Sequence, residues 1–395
     1  MTEPNSIQSA VEALTTPDHV LKAETAQWAS ANLAQHDRVA ADEQSHFAIE
    51  DWKRCAARGI QGLLVDKAFG GQGHDLPSAL LVLEGLGLGC RDNGLCYALA
   101  SQIVSTQVAI EEFGSPAQQQ RWLPGMVAGD LIGAFAITEP DAGSDATNLQ
   151  TRAEEQPDGS WVLNGHKAFI TLAPLADVVV VFAATKPDAG TWGISAFVMP
   201  TDTPGVARLA NRPKMGMRTT PFGDITLTDV ALPADALLGR AGAGFAIFNH
   251  AMSTERAFIT IAQLGAMERT LDQAIAFASS REQGGAPIGD RQAVAHRIAD
   301  MKMRHELART MLYKAALEVC QGNGSAMTTA IAKLHVSEAA AASGLDAVRV
   351  HGARGYASEF EIERELRDSV SGVIYAGTSD IQRNIIARLL GLGSK

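Results

Sequence analysis

Apolar and polar positions change their pattern twice along the chain. From the N-terminus to about residue 130 the chain reads as helical. Leu21 to Ala34 is amphipathic, and Phe69-Gly70-Gly71-Gln72-Gly73 is a glycine-rich break. An Ala/Leu-rich helix is predicted to begin near Pro77, and another runs from Gln102 to Phe113. Gly114 ends that helix, and Pro116 beyond it signals a restart. Between about 131 and 240 the pattern turns to short β-branched runs. These are Trp161-Val162-Leu163-Asn164 after the turn Pro157-Asp158-Gly159, then Val178 to Ala183, Ile194 to Met199 and Asp224 to Val230. Their spacing suggests a small β-domain rather than βαβ units.

From about Gly242 onward four long helical segments follow. In Arg291 to Cys320 the positions Val294, Ile298, Met301, His305, Ala308, Leu312, Ala315 and Val319 alternate steps of four and three, which is a bundle seam. His305 on that seam reads as a core histidine without chemistry. The last helix is predicted to open at Ser379 with a capping box to Gln382 and to close at Gly391. The predicted fold is α+β and multidomain. It has an N-terminal helical domain (1–130), a middle β-domain (131–240) and a C-terminal four-helix bundle (241–395).

Composition narrows the function classes. At 395 residues the chain exceeds what one core usually serves. Hydrophobic content of 46% and charged content of 19% suit a soluble globular protein. A net charge of −11 argues against non-specific nucleic-acid binding. The same charge gives no long-range attraction for an acidic partner, which would need a local basic patch. Cys55, Cys90, Cys96 and Cys320 form neither a metal spacing nor a dense disulfide framework, so a reducing cytoplasm and no metal are expected. The opening stretch 1–20 has no apolar run of a secretory signal, and Val178 to Val181 is far too short to span a bilayer.

The chain is organised around Gly133 to Asp145, GAFAITEPDAGSD. Strand-like residues give way abruptly to a loop. Pro140 removes a backbone donor and Gly143 allows close backbone approach. Residue types alone read as a strand end and a well-capped turn. The order Ala-Ile-Thr-Glu-Pro-x-Ala-Gly-Ser-Asp, however, closely resembles the flavin-contacting segment of the acyl-CoA dehydrogenase family. Asn148 departs from the small residue usual in that family, as do Asp66 and Lys67 from the family loop at the first glycine-rich break. Lys214-Met215-Gly216-Met217-Arg218 and Asp229-Val230 resemble the later part of the family's middle domain, so the likeness covers nearly the whole chain.

That resemblance implies FAD bound between the middle domain and the bundle. Phe135, Ile137, Thr138, Gly143 and Ser144 would contact it from the loop. Phe169 and Thr171 would contact it from Lys167-Ala168-Phe169-Ile170-Thr171, which resembles the family's Lys-x-Trp/Phe-Ile-Thr. Arg281 begins a match to Arg-x-x-Phe-Gly, with Gly284 in place of the Phe, and Gln292 continues it. These two imply a cofactor site shared across a subunit boundary. Arg349 and Gly352 stand in a segment like Gln-x-x-Gly-Gly-x-Gly-aromatic. Arg349 replaces the Gln and could pair with the pyrophosphate. Thr378 and Asp380 complete the expected cofactor set.

Desaturating an acyl thioester needs a base for the α-proton, donors for the carbonyl oxygen and a hydride acceptor on the β-carbon. Many family members carry the base in Tyr-Glu-Gly-Thr. Here the motif reads Tyr375-Ala376-Gly377-Thr378, so the base is missing. The Ala376 backbone N–H survives as a donor. Phe248, Met252, Glu255 and Ile259 share one helical face, and a carboxylate in an apolar stripe is costly unless paired or functional. Asn249, Ser253, Arg256, Thr260 and Gln263 form a neighbouring polar stripe. Glu255-Arg256 resembles the Glu-Arg pair that holds the base in the isovaleryl-CoA, long-chain and prolyl-carrier branches.

The resemblance therefore implies dehydrogenation of acyl-CoA or of an acyl group on a carrier protein, with Glu255 as base. Ser144, Met252, Arg256 and Gly377 would contact substrate. The implied partners are an acceptor such as an electron-transfer flavoprotein and further copies in a homo-tetramer or dimer. A flavin oxidase or monooxygenase on this fold, and a degenerate binding subunit, are the alternatives.

Overall fold

Short polar side chains, Asp37, Asp75, Asp92 and Ser115, cap several helix starts of the N-terminal part. In the computed structural model, which describes residues 19–393, α1 (Val20–Asn32), α2 (Arg38–Gln44) and α3 (Ile49–Ala57) come first. Asp75 then accepts a hydrogen bond from the Ser78 N–H at 2.9 Å and opens the apolar helix α4 (Leu76–Gly89), with Pro77 in its first turn. The reading of stretch 1–20 as lacking a signal, and the beginning of the first domain, fall mainly on residues outside those described. No helix among the described residues is long and apolar enough to cross a membrane.

The helix expected over Gln102 to Phe113 begins earlier. It opens as α5 (Asn93–Ser101) under an Asp92 cap, widens to a π-turn over Gln102–Gln107 and continues as α6 (Val108–Phe113). The apolar run alone did not mark Asp92 as the start. Ser115 and Gln118 form a full capping box on α7 (Pro116–Val127).

Eight strands build the middle sheet. They are β1 (Gly133–Ala136), β2 (Arg152–Glu155), β3 (Trp161–Thr171), β4 (Val178–Ala184), β5 (Ile194–Pro200), β6 (Val206–Arg208), β7 (Phe222–Leu232) and β8 (Leu237–Leu238). The order is β6-β7-β3-β2-β4-β5-β8, with β1 parallel to β4. Every residue of β4 is buried, which accounts for its unbroken VVVVFAA run. β2 is charged and short and carries no apolar pattern to read.

The C-terminal part holds α8 (Gly244–Phe258), α9 (Ile261–Ser280), a small hairpin of β9 (Glu282–Gln283) and β10 (Ala286–Pro287), α10 (Gln292–Cys320) and α11 (Ala326–His351). The short α12 (Ala353–Tyr356), α13 (Ile362–Val370) and α14 (Ser379–Leu389) follow. On α10 the seam residues Met301, His305, Ala308, Leu312 and Ala315 are buried. The polar stripe expected from Asn249 to Gln263 is interrupted, because α8 ends at Phe258 and α9 begins at Ile261.

Helices α4 and α9 cross at glycines. A Cβ on Gly87 would collide with the Ala262 carbonyl, and one on Gly265 with the Glu84 carbonyl. This backbone-to-backbone contact ties the N-terminal helices to the bundle and fixes where α8 lies. Thr378, not Ser379, caps α14, accepting from the Ile381 N–H at 3.2 Å. The Gln382 side chain is therefore free of a capping box and turns to the loop before the helix.

Candidate active site

The loop after β1 is held from below by a buried ion pair. Lys167 Nζ lies 2.8 Å from Glu139 Oε1 and 3.1 Å from the Ile137 carbonyl, and both side chains are buried. Glu139 also accepts from the Gln150 and Thr151 N–H groups at 2.6 and 2.9 Å. Burial pulls the Lys167 ammonium down to about 8, and Glu139 opposes that shift. Glu139 and Lys167 thus act as scaffold, leaving Thr138, Gly143 and Ser144 above them to face a cleft.

A bulge in β3 aims the aromatic residue. Pairing with β7 shifts register between Lys167 and Ile170, and Phe169 takes a left-handed φ of 60°. Phe169 is 47% exposed. The Arg212 guanidinium stands 4.7 Å over its ring, held by two 2.6 Å bonds to Asp224. Those bonds help keep the Asp224 carboxyl well below its ordinary range.

A cleft with a cavity volume of about 250 Å³ opens between sheet and bundle. It brings together Phe135, Ile137, Thr138, Gly143, Ser144, Phe169 and Thr171 with Met252, Glu255, Arg256, Ala376 and Gly377. Glu255 is the one carboxylate among these lining residues, and it is 7% exposed. Burial pushes its pKa up to about 7, against the Ser105 hydroxyl, Arg256 and Lys333, which draw it down. Ser105 Oγ donates to Glu255 Oε2 at 3.1 Å. The Arg256 Nε is buried with no hydrogen-bond partner among the described residues.

At the cleft's inner end the Tyr97 and Tyr375 rings stack with centroids 4.7 Å apart. The Tyr97 hydroxyl is 3.5 Å from Thr171 Oγ1. Beyond this pair lies a second space that shares both tyrosines and is lined further by Cys96, Met267 and Asp368 among others. Tyr97, Ser101 and Ser105 were missed by sequence reasoning. Their signal is hydroxyl side chains at steps of four, and the π-turn carries Ser105 to Glu255.

Six expected cofactor residues do not line the cleft. Thr378 caps α14 and exposed Asp380 pairs with Arg383 at 3.2 Å, so both stand beside it. Arg281, Gln292, Arg349 and Gly352 are exposed at the far end of the bundle. Arg349 pairs there with Asp346 at 3.2 Å. From Lys333, beside the cleft loop, α11 rises about 27 Å to His351 at 1.5 Å per residue. A separate cluster of Glu84, Glu268 and His305, with Glu268 half-buried, already holds the Lys22 ammonium at 3.2 Å from Glu84 and 2.6 Å from Glu268.

Three family models match in succession: the acyl-CoA dehydrogenase N-terminal domain over 16–130, the middle domain over 134–230 and the C-terminal domain over 242–391. An L-prolyl-[peptidyl-carrier protein] dehydrogenase from Pseudomonas fluorescens is 40% identical, covering 89% of this chain and 92% of its own. The crystal structure of the prolyl acyl carrier protein oxidase AnaB superposes with a TM-score of 0.92 at 38% identity, covering 94% of this chain and 98% of that one. The structure of PigA with FAD and proline gives 0.91 at 37% identity, covering 94% and 97%.

Proposed function

The chain belongs to the acyl-CoA dehydrogenase family and is an FAD-dependent oxidoreductase of acyl thioesters; within that chemistry we propose that Glu255 is the base and that the substrate is a prolyl group carried on a peptidyl carrier protein. The observation that carries the assignment is Glu255 itself, the single carboxylate lining the cleft among the described residues, buried and raised to about 7. Position 376, where the Tyr-Glu-Gly-Thr motif that this segment resembles carries the base, has only a methyl group.

The cleft fits a flavin. Half-exposed Phe169 offers an aromatic ring, Thr138, Ser144 and Thr171 offer hydroxyls, and a Cβ on Gly143 would meet nothing within 4 Å. Bound FAD supplies the acceptor for the β-hydride. The protein's own residues do the rest. Glu255 takes the α-proton and becomes neutral, which suits its water-poor surroundings, while the Ser105 hydroxyl orients the carboxylate. The Ala376 N–H, which has no acceptor among the described residues, is the donor we assign to the thioester oxygen. Ser144, Met252, Arg256 and Gly377 would line the substrate arm.

The prolyl assignment draws on the relatives' described activities and on the cleft. Tyr97 and Tyr375 close its inner end, and the hydroxyls of Ser101, Ser105 and Thr171 make it polar, which suits a compact ring better than a long alkyl chain. We read the chain as domains 1–130, 131–240 and 241–395. We also read a homo-oligomer, because Arg281, Gln292, Arg349 and Gly352 stand too far from the cleft to serve it in one chain. In a second copy they could reach the distal half of the dinucleotide.

Mixing FAD-loaded protein anaerobically with prolyl-loaded carrier protein and with a panel of acyl-CoAs tests this reading. Bleaching by the prolyl carrier supports it; bleaching by an acyl-CoA alone defeats the carrier assignment, and no bleaching defeats the activity. AnaB is described as an oxidase, so peroxide release in air without another acceptor is the outcome that would make oxygen, rather than an electron-transfer flavoprotein, the terminal acceptor.

A further inference from the structure

A lysine is buried under the cleft loop with backbone carbonyls as its partners. Lys333, on α11, is 0% exposed. Its ammonium donates to the carbonyls of Gly372 and Gly377, each at 2.8 Å, and lies 5.6 Å from the centre of the Tyr375 ring. It forms no ion pair among the described residues. Burying an ammonium without a carboxylate partner is costly, and burial draws Lys333 down to about 8. The charged groups it faces are Glu255 and Arg256 on α8 and Glu338 on its own helix.

The loop it holds has an unusual backbone. Ala376 and Gly377 both take left-handed conformations, with φ of 53° and 83°. Gln382 Nε2 donates to the Ala376 and Gly377 carbonyls at 3.1 and 2.9 Å. Lys333 and Gln382 together therefore claim the carbonyls of 372, 376 and 377 from the bundle side. The N–H groups of Ala376, Gly377 and Thr378 have no acceptor among the described residues, and Ala376 and Gly377 line the cleft. A non-glycine residue keeps such a conformation only where its surroundings enforce it.

We propose that Lys333 is a positioning residue for the dehydrogenation: by holding the Gly372 and Gly377 carbonyls it keeps the Ala376–Gly377 backbone turned so that its N–H groups face the thioester oxygen, and it places a positive charge behind them. The inference rests on the dehydrogenase reading above. Two effects follow from one ammonium. The hydrogen bonds fix the donor, which matters because a small misplacement of a reacting group is expensive in rate. The charge favours the ionised form of Glu255, since an opposite charge stabilises a carboxylate.

The test compares the parent with Lys333→Met, which keeps shape and loses donor and charge, and Lys333→Gln, which loses only the charge and some donors. All three are loaded with FAD and mixed anaerobically with prolyl-loaded carrier protein and with butyryl-CoA across a pH series. Hydrogen exchange of segment 372–378 is followed in parallel without substrate. The expected result is a plateau bleaching rate lower by about tenfold to hundredfold in Lys333→Met, with a smaller loss in Lys333→Gln. In both variants the acid limb moves to higher pH, because Glu255 loses a stabilising charge, and exchange of the Ile374 and Tyr375 N–H groups, which donate to the Ser371 carbonyl at 3.0 and 3.1 Å, is faster in Lys333→Met. If Lys333→Met loses FAD or fold, Lys333→Gln and Gln382→Met, which frees the Ala376 carbonyl and leaves that of Gly377 to Lys333 alone, carry the comparison and must each lower the plateau. Variants that only melt earlier, with parental plateau and parental acid limb, overturn the proposal and leave the lysine structural. A parent that neither thioester bleaches overturns the dehydrogenase reading, and this inference with it.

Discussion

Glu255→Gln should make the protein more stable while disabling it. The substitution keeps the side chain's size and a partner for Ser105 but removes a carboxylate held in a water-poor cleft. Burial raises the Glu255 pKa from an ordinary 4.5 to about 7. A carboxylate with a raised pKa binds its proton more tightly in the folded state, so its ionisation opposes folding. The penalty is absent below the unfolded value, grows between the two and is complete above the folded value. At 1.36 kcal/mol per unit, that penalty amounts to roughly 3 kcal/mol at pH 8 and under about 1 kcal/mol at pH 5. Glutamine has no such ionisation. Thermal melts of parent and variant, both saturated with FAD and free of substrate, should therefore diverge by a few degrees at pH 8, with the variant higher, and converge toward pH 5. A gap independent of pH, or a variant that melts lower at pH 8, would show that Glu255 is not the desolvated group the structure presents.

Three further outcomes follow. The rate of flavin bleaching at low substrate should rise through a single acid limb near pH 7, because the base works only when ionised; a limb near 4.5 in a pH titration would point to an exposed carboxylate instead. Tyr97→Ala should open the cleft into the space behind the tyrosine pair, extend bleaching to longer acyl thioesters and cost about 3 kcal/mol of stability by denaturant unfolding; an unchanged chain-length profile would count against the pair as the inner wall. Arg281→Ala should weaken FAD retention on dilution, and sedimentation should give at least twice the 41.7 kDa chain mass; a monomer that retains its flavin fully would refute the shared site.

The parts of the site that could be read from the sequence are those written in consecutive residues. The loop Thr138 to Ser144, the bulged Phe169 strand and the Tyr375 to Thr378 turn each carry their order in one stretch, and the cleft draws on all of them. Glu255 stood out because it broke an apolar face at helical spacing. Other contributors were hidden for physical reasons. Tyr97, Ser101 and Ser105 lie on a helix whose start depends on the Asp92 cap and whose middle widens to a π-turn, and neither feature shows in hydrophobic spacing. Lys333 sits among alanines, where a lysine normally reads as a solvated position. Its burial depends on carbonyls from a loop about forty residues later. Thr378 took the cap from Ser379 because its side chain reaches the Ile381 N–H, a choice between neighbours that composition does not decide. Strand β2 formed from charged residues because β3 and β4 offered it a place in the sheet.

The account rests on Glu255 as the base, and a single-turnover measurement addresses that directly. Parent and Glu255→Gln proteins, each with full FAD absorbance, are mixed anaerobically in a stopped-flow cell at pH 8 with saturating prolyl-loaded carrier protein, and the loss of flavin colour is followed. The account predicts prompt bleaching of the parent and a rate on the order of a hundredfold to ten-thousandfold lower in the variant, with substrate still bound. Bleaching of Glu255→Gln at the parental rate would contradict it.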